Sequence, residues 1–226
     1  MVIVMASREK EWVKIDSILN RLLLLVDSDF CYYYLVRTSD GYSKSEANNR
    51  IDNFKKKPEL YKNNPSVWKY KKAEIIKFAK DIERLLRTPI FQSLFSVFRG
   101  VSLVPVPTSK PKNHKDYDSR LSDMCAVIAN DIDDVFLDDA FDVTAIHRPS
   151  HEGGIRDVDY LKNVITFNGL KYPDNLVILV DDVLLMGTHY VACRDKILER
   201  YPNAAIVGVF LAIHKSGYVD YGLAGL

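Results

Sequence analysis

The chain has 226 residues, with 31 Lys and Arg against 30 Asp and Glu, 47% apolar residues and 27% charged ones. That length is enough to bury a real core as one large domain or a main domain with an appendage, and the balance excludes disordered and fibrous classes. Cys31, Cys125 and Cys193 show no CxxC or Cys/His spacing. The spacing suggests neither a disulfide framework nor a zinc site, and thiols in a reducing cytoplasm are expected.

The longest apolar run, Leu22 to Val26, is bounded by Arg21 and Asp27. It is too short to cross a bilayer, and the amino terminus lacks a charged-then-apolar signal pattern, so a cytoplasmic protein without membrane contact is expected. Charge is uneven: residues 1–95 carry 18 Lys and Arg against 12 Asp and Glu, which leaves 13 against 18 for residues 96–226. The basic clusters Lys55-Lys56-Lys57 and Lys69, Lys71, Lys72 read as solvated faces rather than a nucleic-acid surface.

In chain order, Trp12, Ile15, Ile18, Leu19, Leu22 and Leu25 or Val26 recur at helical spacing and predict an amphipathic first helix over 8–26. Cys31-Tyr-Tyr-Tyr-Leu-Val36 is aromatic and β-branched and ends at Asp40-Gly41, so it predicts a strand followed by a turn. Ser43 or Ser45 would cap a helix running to about Lys56, and 59–68 reads as a loop. Ile75, Ala79, Ile82 and Leu86 predict a helix over Lys69–Arg87, with charges on its opposite face and a break at Thr88-Pro89.

After Gly100 the pattern becomes strands alternating with helices. Strands are expected at 101–106, 141–146, 176–180 and 205–213, with helices at 121–132 and 188–200. Strands apolar along their whole length imply a mainly parallel sheet covered on both faces, and in such sheets ligands bind past the carboxyl ends of the strands. The expected fold is therefore α/β: a mainly parallel, doubly wound sheet over 96–226, joined to a mostly helical region over 1–95.

The most specific signal follows the third of these strands, where Leu176–Val180 runs into Asp181-Asp182-Val-Leu-Leu-Met-Gly187-Thr188-His189 and then a helix. Two adjacent carboxylates at the mouth of a buried strand repel one another unless hydroxyls or a cation meet them. Gly187 permits a tight turn that gathers backbone N–H groups at a helix amino terminus, an arrangement suited to phosphate. A capping pair at a strand-to-helix turn is the alternative reading of the two aspartates. Near the start of its helix, Arg120 reads as a surface ion pair with Asp116 or Asp123. His147, His151 and His214 lack the spacing of a metal site or catalytic triad.

The strand-Asp-Asp-Val-x-x-x-Gly pattern resembles the phosphoribosyl pyrophosphate motif of the type I phosphoribosyltransferases. Val104-Pro-Val-Pro-Thr-Ser-Lys110 resembles the Pro-x-Pro-x-x-Lys segment of the ComF-like branch, and Arg148, Arg156, Asn163 and Phe167 resemble that branch's following stretch. Together these cover about residues 101–215. Cys31-Tyr-Tyr-Tyr-Leu, Gly41-Tyr42-Ser43 and Asn53-Phe54-Lys55 resemble the amino-terminal region of uncharacterised bacterial proteins joined to such a domain. The resemblance implies a transferase in which a nitrogen nucleophile displaces pyrophosphate from phosphoribosyl pyrophosphate, with Mg²⁺ bridging substrate oxygens.

On that reading Asp181 and Asp182 hold the ribose hydroxyls, and Thr108, Ser109 and Lys110 meet pyrophosphate. Gly187, Thr188 and His189 hold the 5′-phosphate, while Arg148 and Arg156, beside Gly153-Gly154, cover the site. Mg²⁺ suits such a site because it binds mainly through substrate phosphates and water, with Asp181 and Asp182 as the candidate protein ligands. Where the family places threonines around the glycine, this chain has Leu185, Met186 and His189. Each lost neutral hydrogen bond costs about 0.5–1.5 kcal/mol. That departure favours the alternative function, a non-catalytic sensor of phosphoribosyl pyrophosphate or a nucleotide that signals to a protein partner through residues 1–95. An accessory role in DNA uptake or defence rests on the ComF-like resemblance and the basic amino-terminal half.

Overall fold

Fifteen short elements alternate along the described chain: residues 11–15, 23–39, 45–62, 64–145 and 157–214 of a computed structural model. Strands β1 (Val13–Lys14) and β2 (Phe30–Arg37) precede helices α1 (Glu46–Phe54), α2 (Pro58–Lys62), α3 (Pro65–Leu86) and α4 (Pro89–Phe95). Then come β3 (Val101–Pro105), α5 (Arg120–Asp131), β4 (Val135–Leu137), β5 (Phe141–Val143), α6 (Val158–Val164) and β6 (Ile165–Phe167). The chain continues through β7 (Leu176–Leu184), α7 (Thr188–Arg200) and β8 (Ile206–His214).

Six strands form one sheet in the order β1-β2-β8-β7-β3-β4, parallel throughout except for the antiparallel pair β1 and β2. The protein is thus mixed α/β around a mostly parallel sheet, as its whole-length apolar strands predict. Leu103, Ile178, Val180, Val209 and Leu211 pack on one face against Ile51, Phe54, Phe78 and Ile82 from α1 and α3 and Met124 and Ile128 from α5. Val104, Val177, Leu179 and Phe210 pack on the other against Tyr190, Val191, Cys193 and Ile197 of α7, together with Phe141 and Ile165. Burial on both faces explains why these strands lack an alternating polar pattern.

The amino-terminal region contributes to this sheet as well as to the helices over it. β2 lies beside β8, with Cys31 opposite Gly208 and Leu35 opposite Ala212, and Tyr33 and Tyr34 are buried. Ser45 accepts from the Asn48 N–H at 3.0 Å and caps α1; Ser43 lies outside the described residues.

Several expectations need correction. Where a first helix is expected, Val13 and Lys14 pair with Tyr33 and Tyr32 instead. Trp12 packs its ring 5.1 Å from that of Tyr34 and donates Nε1–H to the Asp81 carbonyl, so tertiary pairing overrides a helix-like period. Of the rest of that expected helix, residues 23–26 are not helical, and residues 8–10 and 16–22 lie outside the described residues. The expected loop at 59–68 holds α2 and the first turn of α3, capped by Asn64 with Pro65 in the first turn. Pro89 ends α3 but opens α4 in the same way.

The strand at 141 does not enter the main sheet. β5 pairs antiparallel with β6, and it is β4, too short to show a pattern, that joins β3. The face of α3 expected to be wholly solvated buries Lys71, Glu74, Asp81 and Glu83. Arg50 reaches across to meet Glu74 at 2.9 Å and Asp81 at 2.7 Å, above the Phe78 ring.

Candidate functional site at the carboxyl ends of β3 and β7

From β3 the chain passes through α5 to β4 on one side, then returns to β7 on the other side of β3. The strand order therefore reverses between β3 and β7, and open α/β sheets offer a ligand crevice outside the carboxyl ends of such a pair. Pro105 lies opposite Val180, and the Val106 N–H donates to the Val180 carbonyl at 2.9 Å. The loop that carries Thr108, Ser109 and Lys110 thus leaves the sheet beside Asp181 and Asp182.

β7 does not stop at Val180 as expected. It runs on to Leu184 because β8 stays paired with it, Asp181 opposite Phe210 and Leu184 opposite Ile213. The two aspartates are consequently inside a strand, where neighbouring side chains point to opposite faces. They do not form the joint ribose grip that their adjacency suggests.

Asp182 turns toward the helical layer and is 5% exposed. Its Oδ1 accepts from Lys55 Nζ at 3.0 Å, and its Oδ2 accepts from Arg120 Nε at 3.1 Å and Nη2 at 2.5 Å. Arg120 Nη1 also donates to Asp118 at 2.7 Å, and Asp118 takes both oxygens to Lys71 Nζ at 2.7 Å. Lys71 donates further to the Lys56 carbonyl at 2.7 Å.

Burial alone would raise the Asp182 carboxyl, but the charges of Lys55 and Arg120 overcome it and hold that carboxyl well below the usual range. Burial likewise opposes the Arg120 charge, and Asp182 and Asp118 more than restore it. Arg120 is therefore no surface pair with Asp116 or Asp123; it is buried between two carboxylates. Lys55 and Lys71, read from their clusters as solvated, are also anchored here.

Asp181 turns the other way and is half-buried. Its Oδ1 accepts from the Asp182 N–H at 2.7 Å, and no other hydrogen bond joins it among the described residues. Burial, and then the charge of Asp182, pushes its carboxyl up to about 7. Asp181 lines a small pocket of about 40 Å³ together with Val183, Leu185, Met186, Gly187, Thr188 and His189.

The floor of this pocket is the amino terminus of α7. Gly187 occupies the cap position at φ +88°, a left-handed conformation that glycine adopts without a Cβ clash, and no side chain caps the helix. The first N–H groups of a helix have no carbonyl partner within it, and the positive φ of Gly187 sets the turn that leads into those of α7. From above, the Leu24 N–H donates to the Met186 carbonyl at 2.8 Å, and Leu25 lies against Gly187.

The expected site residues therefore divide. Asp181, Gly187, Thr188 and His189 come together around one pocket, whereas Asp182 is committed to Lys55 and Arg120. Lys110 does not line this pocket and meets Glu59 at 3.2 Å and Asp116 at 3.9 Å. Thr108 hydrogen-bonds locally to the Lys110 carbonyl. Arg148 and Arg156 lie outside the described residues, as do His147 and His151.

Magnesium fits this donor set only in part. Both Asp182 oxygens are taken by cations, so Asp182 does not fit as a metal ligand, and Asp181 offers one free oxygen. No group of three or more His, Cys, Asp or Glu suited to a metal occurs among the described residues. None of the described helices is long and apolar enough to cross a membrane. No protein-family model matches the chain, and no curated protein is significantly similar to it.

Proposed function

We propose that the protein binds a phosphorylated ribose, as phosphoribosyl pyrophosphate or a nucleotide, with the phosphate at the 185–189 turn and the sugar against Asp181. One observation carries this reading: Asp181 and the turn at the amino terminus of α7 share a pocket beside the strand-order reversal. Backbone N–H groups and the helix dipole favour an anion there, and a carboxyl or carboxylate beside them accepts from or donates to ribose hydroxyls. The likeness of the Asp-Asp-Val-x-x-x-Gly segment to type I phosphoribosyltransferases supports the same ligand. In a transfer reaction Asp181 would steady the ribose as pyrophosphate leaves, and Mg²⁺ would arrive on the pyrophosphate oxygens.

A second reading, binding without turnover, is favoured by the Lys55 and Arg120 contacts that withdraw Asp182 from the sugar. Isothermal titration with phosphoribosyl pyrophosphate and magnesium, on the wild type and Asp181→Asn, tests the site itself. Heat from the wild type that the variant lacks is expected, and equal heats would refute the placement. Pyrophosphate release across a panel of nucleobases then separates the two readings: release supports transfer, and binding without release supports a sensor.

A further inference from the structure

A divalent cation bound to a carboxylate neutralises its charge. In this protein that task is already performed from within. Lys55 Nζ sits on one oxygen of Asp182, and the Arg120 guanidinium sits on the other. Arg120 is itself held by Asp118, and Asp118 is held by Lys71, which is 1% exposed. The chain of charges is largely buried and joins the carboxyl end of α1, strand β7, the start of α5 and α3.

An Arg that gives two N–H groups to one carboxylate oxygen is a firm, directional partner, and displacing it from a buried site would leave two carboxylates short of charge. A metal ion entering at Asp182 would have to do so. The pyrophosphate side shows the same self-sufficiency, because Lys110 is already shared by Glu59 and Asp116.

Building on the phosphorylated-ribose reading, we propose that Lys55 and Arg120 occupy the place on Asp182 that a divalent cation would take, so that the protein binds a phosphorylated ribose without a metal at Asp182.

The test is calorimetric titration with ribose 5-phosphate in EDTA and again in excess magnesium. Dissociation constants that agree within about twofold are expected, and a tenfold or greater weakening in EDTA, about 1.4 kcal/mol, would overturn the proposal. In that event the ribose-phosphate reading would stand and only the metal-free claim would fall. Absence of binding by both ribose 5-phosphate and phosphoribosyl pyrophosphate in either medium would overturn both. Lys55→Met frees Asp182 Oδ1 while Arg120 keeps the other oxygen. Magnesium titrated alone is then expected to give binding heat with the variant and none with the wild type. A variant as indifferent to magnesium as the wild type would overturn the role given to Lys55.

Discussion

Replacing Arg120 by Met probes the charge chain behind the site with little change in side-chain volume. The guanidinium gives three hydrogen bonds to two carboxylates, with 12% of its side chain exposed. Breaking a buried ion pair by removing one partner costs about 3–5 kcal/mol, because the charge left behind is desolvated and unpaired. Here each carboxylate retains a second cation, Lys55 for Asp182 and Lys71 for Asp118. The loss is therefore expected near the lower end of that range, about 3 kcal/mol, which lowers Tm by about 6–12 °C for a chain of this size.

Urea unfolding measures the loss directly, with an unchanged slope showing that stability rather than compactness has altered. Lys162→Ala serves as the control, since its pair with Glu199 is at the surface and should contribute little. Arg120→Met combined with Asp182→Asn should lose less than the sum of the single variants, because an amide needs no counter-charge. An Arg120→Met protein within about 1 kcal/mol of wild type would refute the view that this buried pair is structurally essential.

The Asp181 carboxyl, raised from its model-compound value of 3.8 to about 7, makes the folded state hold more protons than the unfolded state between those pH values. Its contribution to stability is therefore intact near pH 4 and declines as pH rises toward 7. Asp181→Asn should be more stable than wild type at pH 8 by roughly 1–3 kcal/mol and nearly equal to it at pH 4, as read by urea unfolding at both values. Gly208→Ala would place a methyl 2.6 Å from Cys31 Sγ and 2.8 Å from Tyr190 Cε2, in a fully packed layer between β2 and α7. A loss of about 1–3 kcal/mol is expected, and a neutral result in thermal unfolding would show that this layer has slack.

Most of the parallel sheet and α7 could be read from the sequence because local pattern and tertiary role agree there. Leu176–Val180 is apolar throughout since both its faces are covered, and Thr188–Arg200 ends at Tyr201-Pro202, where a helix must stop. Residues 8–26 read as a helix because Trp12, Ile15 and Leu25 are spaced as on one, whereas Trp12 packs on Tyr34, Ile15 is buried next to the β1–β2 pairing and Leu25 lies against Gly187.

Charged partners were the least legible. Nothing local distinguishes Lys55 and Lys71 from the solvated lysines beside them; only the fold brings Asp182 and Asp118 to them across 127 and 47 residues. Likewise, the Asp181-Asp182 pair advertises a double carboxylate, but the continuation of β7 past Val180 sends the two to opposite faces. A signal was present in Val183 and Leu184, which prolong the apolar strand beyond the aspartates.

A crystal structure of the protein soaked with ribose 5-phosphate tests the placement of the site most directly. The expected result is a phosphate within hydrogen-bond distance of the backbone N–H groups of 186–189, with the ribose beside Asp181 and the Lys55 and Arg120 contacts to Asp182 intact. A ligand bound elsewhere, or an empty 185–189 turn at saturating ligand, would contradict it.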